Sequence, residues 1–292
     1  MKLRILGTAA AEGWPAAWCR CDNCQAARKA GGRNIRKRSC LLINDSIMVD
    51  IPPDILAHCH QHDLDLFNVE HLFITHPHPD HLYATELRWR RRHYAHPWDA
   101  RVLHVYGSET TRRAIDAAIE GQWDECRLDF HAVTRWQTLY LNQQGAVTAA
   151  LGAHAPQLEC FTYIFELHGL TILQGYDTGW YSDEAWEHFS HYHFDVVLMD
   201  CTNGVIDDAK GHLNIRDLLR LKQKLHYMGV IDNATVFLAT HFSHNGGLLH
   251  DDLAKALAPG AVVPAYDGMV IEMERGGDSP QRHQVHQEEK RR

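Results

Sequence analysis

Residues 75–81 read Thr75-His76-Pro77-His78-Pro79-Asp80-His81, the Thr closing the apolar run HLFIT and the rest standing before a stretch with helical spacing. Four metal-ligand side chains therefore stand together at the end of a run that reads as a strand. Alternate residues of an extended segment point the same way, so His76 and His78 can grip one cation. Asp80 and His81 lie one turn onward and can grip a second. The two prolines stiffen the loop and lower the entropy lost in holding these groups. Imidazole and carboxylate together suit zinc, manganese or iron. A lone His-x-His would pass for an ordinary surface loop; four donors behind a buried strand do not.

Elsewhere short β-branched runs alternate with helical stretches. Strands are expected at 2–6, 40–43, 46–50, 71–75, 102–106, 147–151, 162–167, 171–174, 196–200, 236–240, 262–265 and 269–273. Helices are expected at 54–61, 79–92, 109–121, 183–189, 215–225 and 251–257. Consecutive strands such as 162–167 and 171–174 read as hairpins, so the sheets should be mixed. Many strands, interspersed helices and no repeat point to an α/β fold of two mixed sheets flanked by helices. A chain of 292 residues can form this as one domain, here residues 1–275. The polar, charged tail 276–292 is expected to be disordered.

The His-x-His-x-Asp-His run resembles the signature of the metallo-β-lactamase superfamily. The resemblance implies an αββα sandwich with two metals at one edge of its sheets, and further ligands from a distant His, an Asp and a last His. Each has a counterpart just beyond an apolar strand: His154 in LGAHAP, Asp177 in LQGYDTGW and His241 in FLATHFSH. By resemblance His76, His78 and His154 hold one divalent ion, Asp80, His81 and His241 hold the other, and Asp177 bridges them. Asp50, in IMVDIPPD, matches an acidic motif and is read as ordering the metal loop rather than binding metal. The YDGM near residue 268 also looks like the family's last strand, which carries the likeness to about residue 273.

Of eight cysteines, Cys19, Cys21 and Cys24 crowd together in Cys-x-Cys-x-x-Cys. Three thiolates need a fourth ligand for a tetrahedral structural zinc, and His244, three residues after His241, is the candidate. No plain Cys-x-x-Cys stands beside a thioredoxin-like pattern, which disfavours a redox role. The Cys cluster with that His resembles the cyclic-phosphate phosphodiesterases of bacterial phosphonate degradation. A similar cluster occurs in a protein of pyrroloquinoline quinone biosynthesis with the same fold. A zinc there would tie the N-terminal loop to the loop carrying His241.

Hydrolysis at two metals needs an acid for the leaving group. His212, in KGHLNI, follows a Gly, precedes a helix and lies where the phosphodiesterase relatives keep a catalytic histidine. Together with the metal-held Asp80 it makes up the catalytic assignment. Arg88, Arg91 and Arg92 would share a helix face and could hold a phosphate, but a solvated cationic face is the better reading. Asp207 and Asp208 read as a polar turn.

The expected function is hydrolysis of a small, cyclic or acyclic, phosphodiester at two divalent ions, with one structural zinc besides. The stretch between His81 and His154 is longer than the resemblance requires, which leaves RNA ends, lactones and thioesters as rival substrates. Cofactor biosynthesis like that of the quinone-pathway relative is a further rival. The net charge of −8 argues against an extended nucleic-acid surface. No apolar run approaches the roughly 18 residues of a membrane span. The short apolar stretch after Met1 reads as a first strand rather than a secretory signal, which places the protein in the cytoplasm. The reading allows a homodimer.

Overall fold

Cys40, Leu41, Leu42 and Ile43 are all buried, and they divide by alternation. Leu41 and Ile43 join an apolar cluster with Phe161, Tyr163 and Phe165, whereas Cys40 and Leu42 join another with Ile55, Ile115 and Ile119. A strand buried on both faces needs a layer on each. In the computed structural model, which describes residues 1–97, 101–155, 157–207, 210–274 and 284–287, those layers are a second sheet and a bank of helices.

The strands are β1 (Lys2–Gly7), β2 (Cys40–Ile43), β3 (Ile47–Val49), β4 (His71–Phe73), β5 (Leu103–Gly107), β6 (Leu128–Ala132), β7 (Thr138–Tyr140) and β8 (Gly145–Leu151). They continue with β9 (Phe161–Leu167), β10 (Leu170–Gly175), β11 (Val196–Asp200), β12 (Val236–Thr240), β13 (Val263–Pro264), β14 (Met269–Glu272) and β15 (Gln284–Gln287). The helices are α1 (Asp22–Ala30), α2 (Ile55–His62), α3 (Glu109–Ile119), α4 (Trp123–Cys126), α5 (Asp183–Phe189), α6 (Ile215–Tyr227) and α7 (His250–Leu257).

One sheet runs β15-β14-β1-β2-β3-β4-β5-β6 and the other β13-β12-β11-β10-β9-β8-β7. Both are mixed. The first is antiparallel from β15 to β3 and parallel from β3 to β6. The second is parallel from β13 to β10 and antiparallel from β10 to β7. Three apolar clusters fill the gaps. One lies between the sheets, one under α2, α3 and α4, and one under α1, α5, α6 and α7. The fold is thus the expected αββα sandwich. Helix α6 shows how the sequence places a layer: Asn214 caps it by accepting from the Asp217 N–H, and Leu218, Leu221 and Leu225 make the buried stripe.

Two readings need correction. The stretch 79–92 is not an α-helix; only Ala84–Arg90 coil, as a 3₁₀ segment. Residues 79–81 form a turn and Leu82 then bridges to Ile51, because the Ile51 N–H donates to the His81 carbonyl and the Tyr83 N–H to the Ile51 carbonyl. Conversely, Asp22–Ala30 is helical where only a loop was expected. Within the polar tail, Gln284–Gln287 pair with β14; the rest of 275–292 lies outside the described residues. None of the described helices is long and apolar enough to cross a membrane.

Candidate metal centre

The parallel strands β3, β4, β11 and β12 finish at one edge of the sandwich, and Asp50, Thr75, Asp200 and His241 follow or close them. Asp50, Asp177 and His241 each take a left-handed φ, of 64°, 41° and 59°. That conformation is costly away from Gly, and here it occurs where the chain leaves a strand with a polar side chain buried.

Two donor groups result. In one, a nitrogen each of His76, His78 and His154 and an oxygen of Asp177 all lie within 4.8 Å of one another. In the other, atoms of Asp80, His81, His241 and again Asp177 do so. Within the first, His78 Nδ1 is 2.8 Å from His76 Nε2 and 3.3 Å from His154 Nε2. Within the second, His81 Nε2 is 3.2 Å from His241 Nε2. Asp177 Oδ2 stands 3.2 Å from His76 Nε2 and 3.1 Å from His81 Nε2, so one carboxylate faces both groups.

The far nitrogens of four rings are held from behind. His81 Nδ1 donates to Asp50 Oδ2 at 2.6 Å and His154 Nδ1 to the Gly211 carbonyl at 3.1 Å. His241 Nδ1 lies 2.7 Å from Thr202 Oγ1 and His76 Nδ1 3.1 Å from Thr75 Oγ1. With Nδ1 engaged, the Nε2 lone pairs turn inward, which is how a protein presents imidazole to a cation. Asp50 also accepts from the Thr75 N–H and hydroxyl, so it orders the loop from outside the donor groups.

These residues fit a pair of divalent cations. The buried Asp177 Oδ1 has no hydrogen bond although His241 Nε2 is 2.8 Å away. The contact is close but not aligned for a shared proton, as for two ligands of one ion. Burial depresses His76 to about 3 and lowers His154, which keeps both neutral, the form that binds metal. Burial would lower His81 and His241 too, but the surrounding carboxylates, Asp177 foremost, outweigh it. They raise His81 well above the usual range and His241 to about 10. Burial would raise Asp177, and the imidazoles of His241 and His81 instead hold it well below the usual carboxylate range. Buried acids that demand positive charge at one point are what a cation satisfies.

The centre opens into a cleft of about 630 Å³ lined by His78, Asp80, His154, Asp177, His212 and His241. Glu12, Asn203 and Ser243 line it as well. His212 Nδ1 lies 3.0 Å from Asp200 Oδ2 and 3.7 Å from Asp177 Oδ1. Asp200 was not singled out from sequence. It closes the apolar run VVLMD, the same signal that marked Asp177 and His241.

The Cys cluster also converges. Cys19, Cys21, Cys24 and His244 offer one donor atom each, all within 4.8 Å of one another. His244 Nδ1 is 3.4 Å from Cys21 Sγ and 3.9 Å from Cys19 Sγ. Cys21 caps α1, and the hydrogen bond from the Cys24 N–H lowers its thiol to about 6. Asn23 Nδ2 donates to the His244 carbonyl, tying the same two loops a second time.

The arginines lie elsewhere. Arg88 pairs with Glu120 at 2.8 Å, Arg91 with Gln122, and neither lines the cleft. Asp207 is exposed and pairs with Arg216 at 2.6 Å. Asp208 lies outside the described residues.

A family model described as the β-lactamase superfamily domain matches residues 46–242. Among solved structures, a new diphosphatase from the PhnP family superposes with a TM-score of 0.72 at 19% identity, covering 94% of this chain and 98% of that one. Zinc-bound PqqB from Methylobacterium extorquens gives 0.72 at 15%, with 93% and 100% covered. The short form of human tRNase Z gives 0.64 at 18%, with 93% and 99% covered. Comparison with curated proteins finds no significant match.

Proposed function

The chain belongs to the β-lactamase superfamily, and from that premise we propose that it is a binuclear metal-dependent hydrolase of small phosphodiesters, cyclic ones included. The observation that carries this is the single carboxylate of Asp177 set between two donor groups beside a histidine held by a buried acid. His76, His78 and His154 would hold one cation and Asp80, His81 and His241 the other, with the Asp177 carboxylate facing both groups. Divalent cations bound there supply Lewis acidity for an attacking water and for the phosphoryl oxygens.

The protein's own groups do the rest. Asp200 orients His212 through Nδ1, which leaves the other ring nitrogen to deliver a proton to the leaving oxygen. The carboxylate favours the charged ring, and although burial works against it, His212 is raised above the ordinary histidine range. Asp80 orders the centre as a ligand. Cys19, Cys21, Cys24 and His244 would hold a structural zinc, which would fix the N-terminal loop, including Glu12, against the loop after β12. Both loops line the cleft.

Three features favour a small phosphate ester. The cleft suits a small molecule in volume. Among its described lining residues there is no Lys or Arg, so nothing tracks a long polyanion. The PhnP-family structure that shares the fold is named a diphosphatase. The test is a panel of bis(p-nitrophenyl) phosphate, a ribose cyclic phosphate, a lactone and a thioester, each with added zinc, manganese or iron. Turnover confined to the phosphodiesters supports the proposal. Turnover of the lactone or thioester alone overturns it.

A further inference from the structure

Strands β5 and β6 form the last pair of the first sheet, and their parallel register sets Asp129 beside His104 and His131 beside Tyr106. Residues 129 and 131 therefore share the face of His104, Asp129 directly beside it and His131 one step further along the neighbouring strand. The three side chains meet in a nearly equilateral triangle. His104 Nδ1 is 3.1 Å from His131 Nε2, His104 Nδ1 is 3.2 Å from Asp129 Oδ2, and His131 Nε2 is 3.3 Å from the same oxygen.

We propose that His104, Asp129 and His131 form a further divalent-metal site of the zinc type, which clamps the edge strand β6 to β5. Metal bonds of about 2.0 Å in tetrahedral array set neighbouring ligand atoms about 3.3 Å apart, the spacing seen on all three edges. Protons account for the triangle less well. If both rings donate to Asp129, two N–H groups confront each other at 3.1 Å. If only one donates, a lone pair faces the carboxylate along another edge. A central cation satisfies all three edges at once.

The surroundings support the rings as ligands. His71 stacks on His104 at 5.6 Å between centroids, Tyr106 stacks on His131 at 4.7 Å, and His71 Nδ1 lies 3.0 Å from the Tyr106 hydroxyl. Both imidazoles are thus backed by rings whose own polar groups are engaged. The ligand side chains remain 38%, 53% and 37% exposed for His104, Asp129 and His131, so an ion can enter and solvent or a fourth donor can complete its shell. The site is separate from the metal centre. His71 and His104 lie at the start of β4 and β5, whereas His76 and His78 follow the end of β4.

Full-length protein carrying its other metals should be equilibrated at fixed free Zn²⁺, and bound zinc per chain measured for wild type, His131→Ala and Asp129→Asn. Wild type should hold one ion more than either variant, and added zinc should raise its Tm further than theirs. Turnover of a chromogenic diester should be the same in all three. Equal stoichiometry and equal zinc-dependent Tm would overturn the proposal. If His131→Ala folds poorly, the exposed and isosteric Asp129→Asn decides the matter alone.

Discussion

His212 Nδ1 lies 3.0 Å from Asp200 Oδ2, and that same carboxylate accepts from the Thr202 hydroxyl and the Leu213 N–H. Asp200 is wholly buried and has its other acceptor positions filled, so it holds the ring rather than meeting substrate. His212→Ala should lower kcat by roughly 10²–10⁴-fold on an ester with a poor leaving group. The loss should shrink on a nitrophenyl ester, whose leaving group needs little protonation. Bound metal should be unchanged and the basic limb of the pH–rate profile should flatten. Asp200→Asn should show the same leaving-group pattern with a smaller loss. Equal losses on both leaving groups would assign His212 to substrate positioning instead.

Asp177 faces both donor groups, so its removal should affect both cations. Asp177→Ala should abolish turnover and lower metal content by up to two ions per chain, while circular dichroism stays native. Asp80→Ala should also abolish turnover but release only the ion shared with His81 and His241. A variant lacking Asp177 that kept both ions and wild-type turnover would remove it from the bridging position.

Cys21 sits at the start of α1 with His244 Nδ1 3.4 Å away, and the two residues come from opposite ends of the chain. Cys21→Ser should lose the metal that resists mild chelation and lower Tm, because binding free energy at a structural zinc is largely folding free energy. Unchanged Tm and metal content would leave these residues a cluster of reduced thiols.

The donors were legible because each follows an apolar strand, and the sandwich brings such strand ends to one edge. Asp177 and His241 carry that signal plainly, and so does Asp50, which orders the loop behind them. Asp200 carries it too and was passed over, since its partners His212 and Thr202 become visible only when the chain folds back on itself. Helix α1 was hidden by its cap: Cys21 stands where Ser, Thr, Asp or Asn would announce a start, and only Cys24 and Ala27 of the helix are buried. The opposite error at 79–92 came from helical spacing in a segment whose backbone is tied to Ile51. In β6 Leu128, Phe130 and Ala132 do alternate with Asp129 and His131, but five residues there, and three in β7, are too few for the pattern to stand out. Local alternation sets Asp129 and His131 on one face of β6, but their meeting with His104 depends on a cross-strand register that no local pattern encodes.

A final expectation concerns stability in acid. His250 is buried at the start of α7, and its Nδ1 accepts from Arg36 Nη2 at 3.1 Å. Burial first, then the Arg36 charge, depress His250 from 6.5 to about 4. Between those values the unfolded chain binds a proton that the folded chain does not. Stability therefore rises with pH across this window, and it is lost as pH falls from about 6.5 toward 4. Below about 4 both states are protonated and this residue adds no further loss. A shift of this size is worth about 3 kcal/mol at most. His250→Asn keeps an acceptor near the Nδ1 position and cannot titrate. Urea midpoints measured from pH 4 to 7.5 should fall less steeply with acid in the variant than in wild type. The other histidines, including those of the metal centre, are common to both proteins and cancel in the difference. Parallel curves would mean that His250 is protonated in the folded state and that Arg36 has turned away from it.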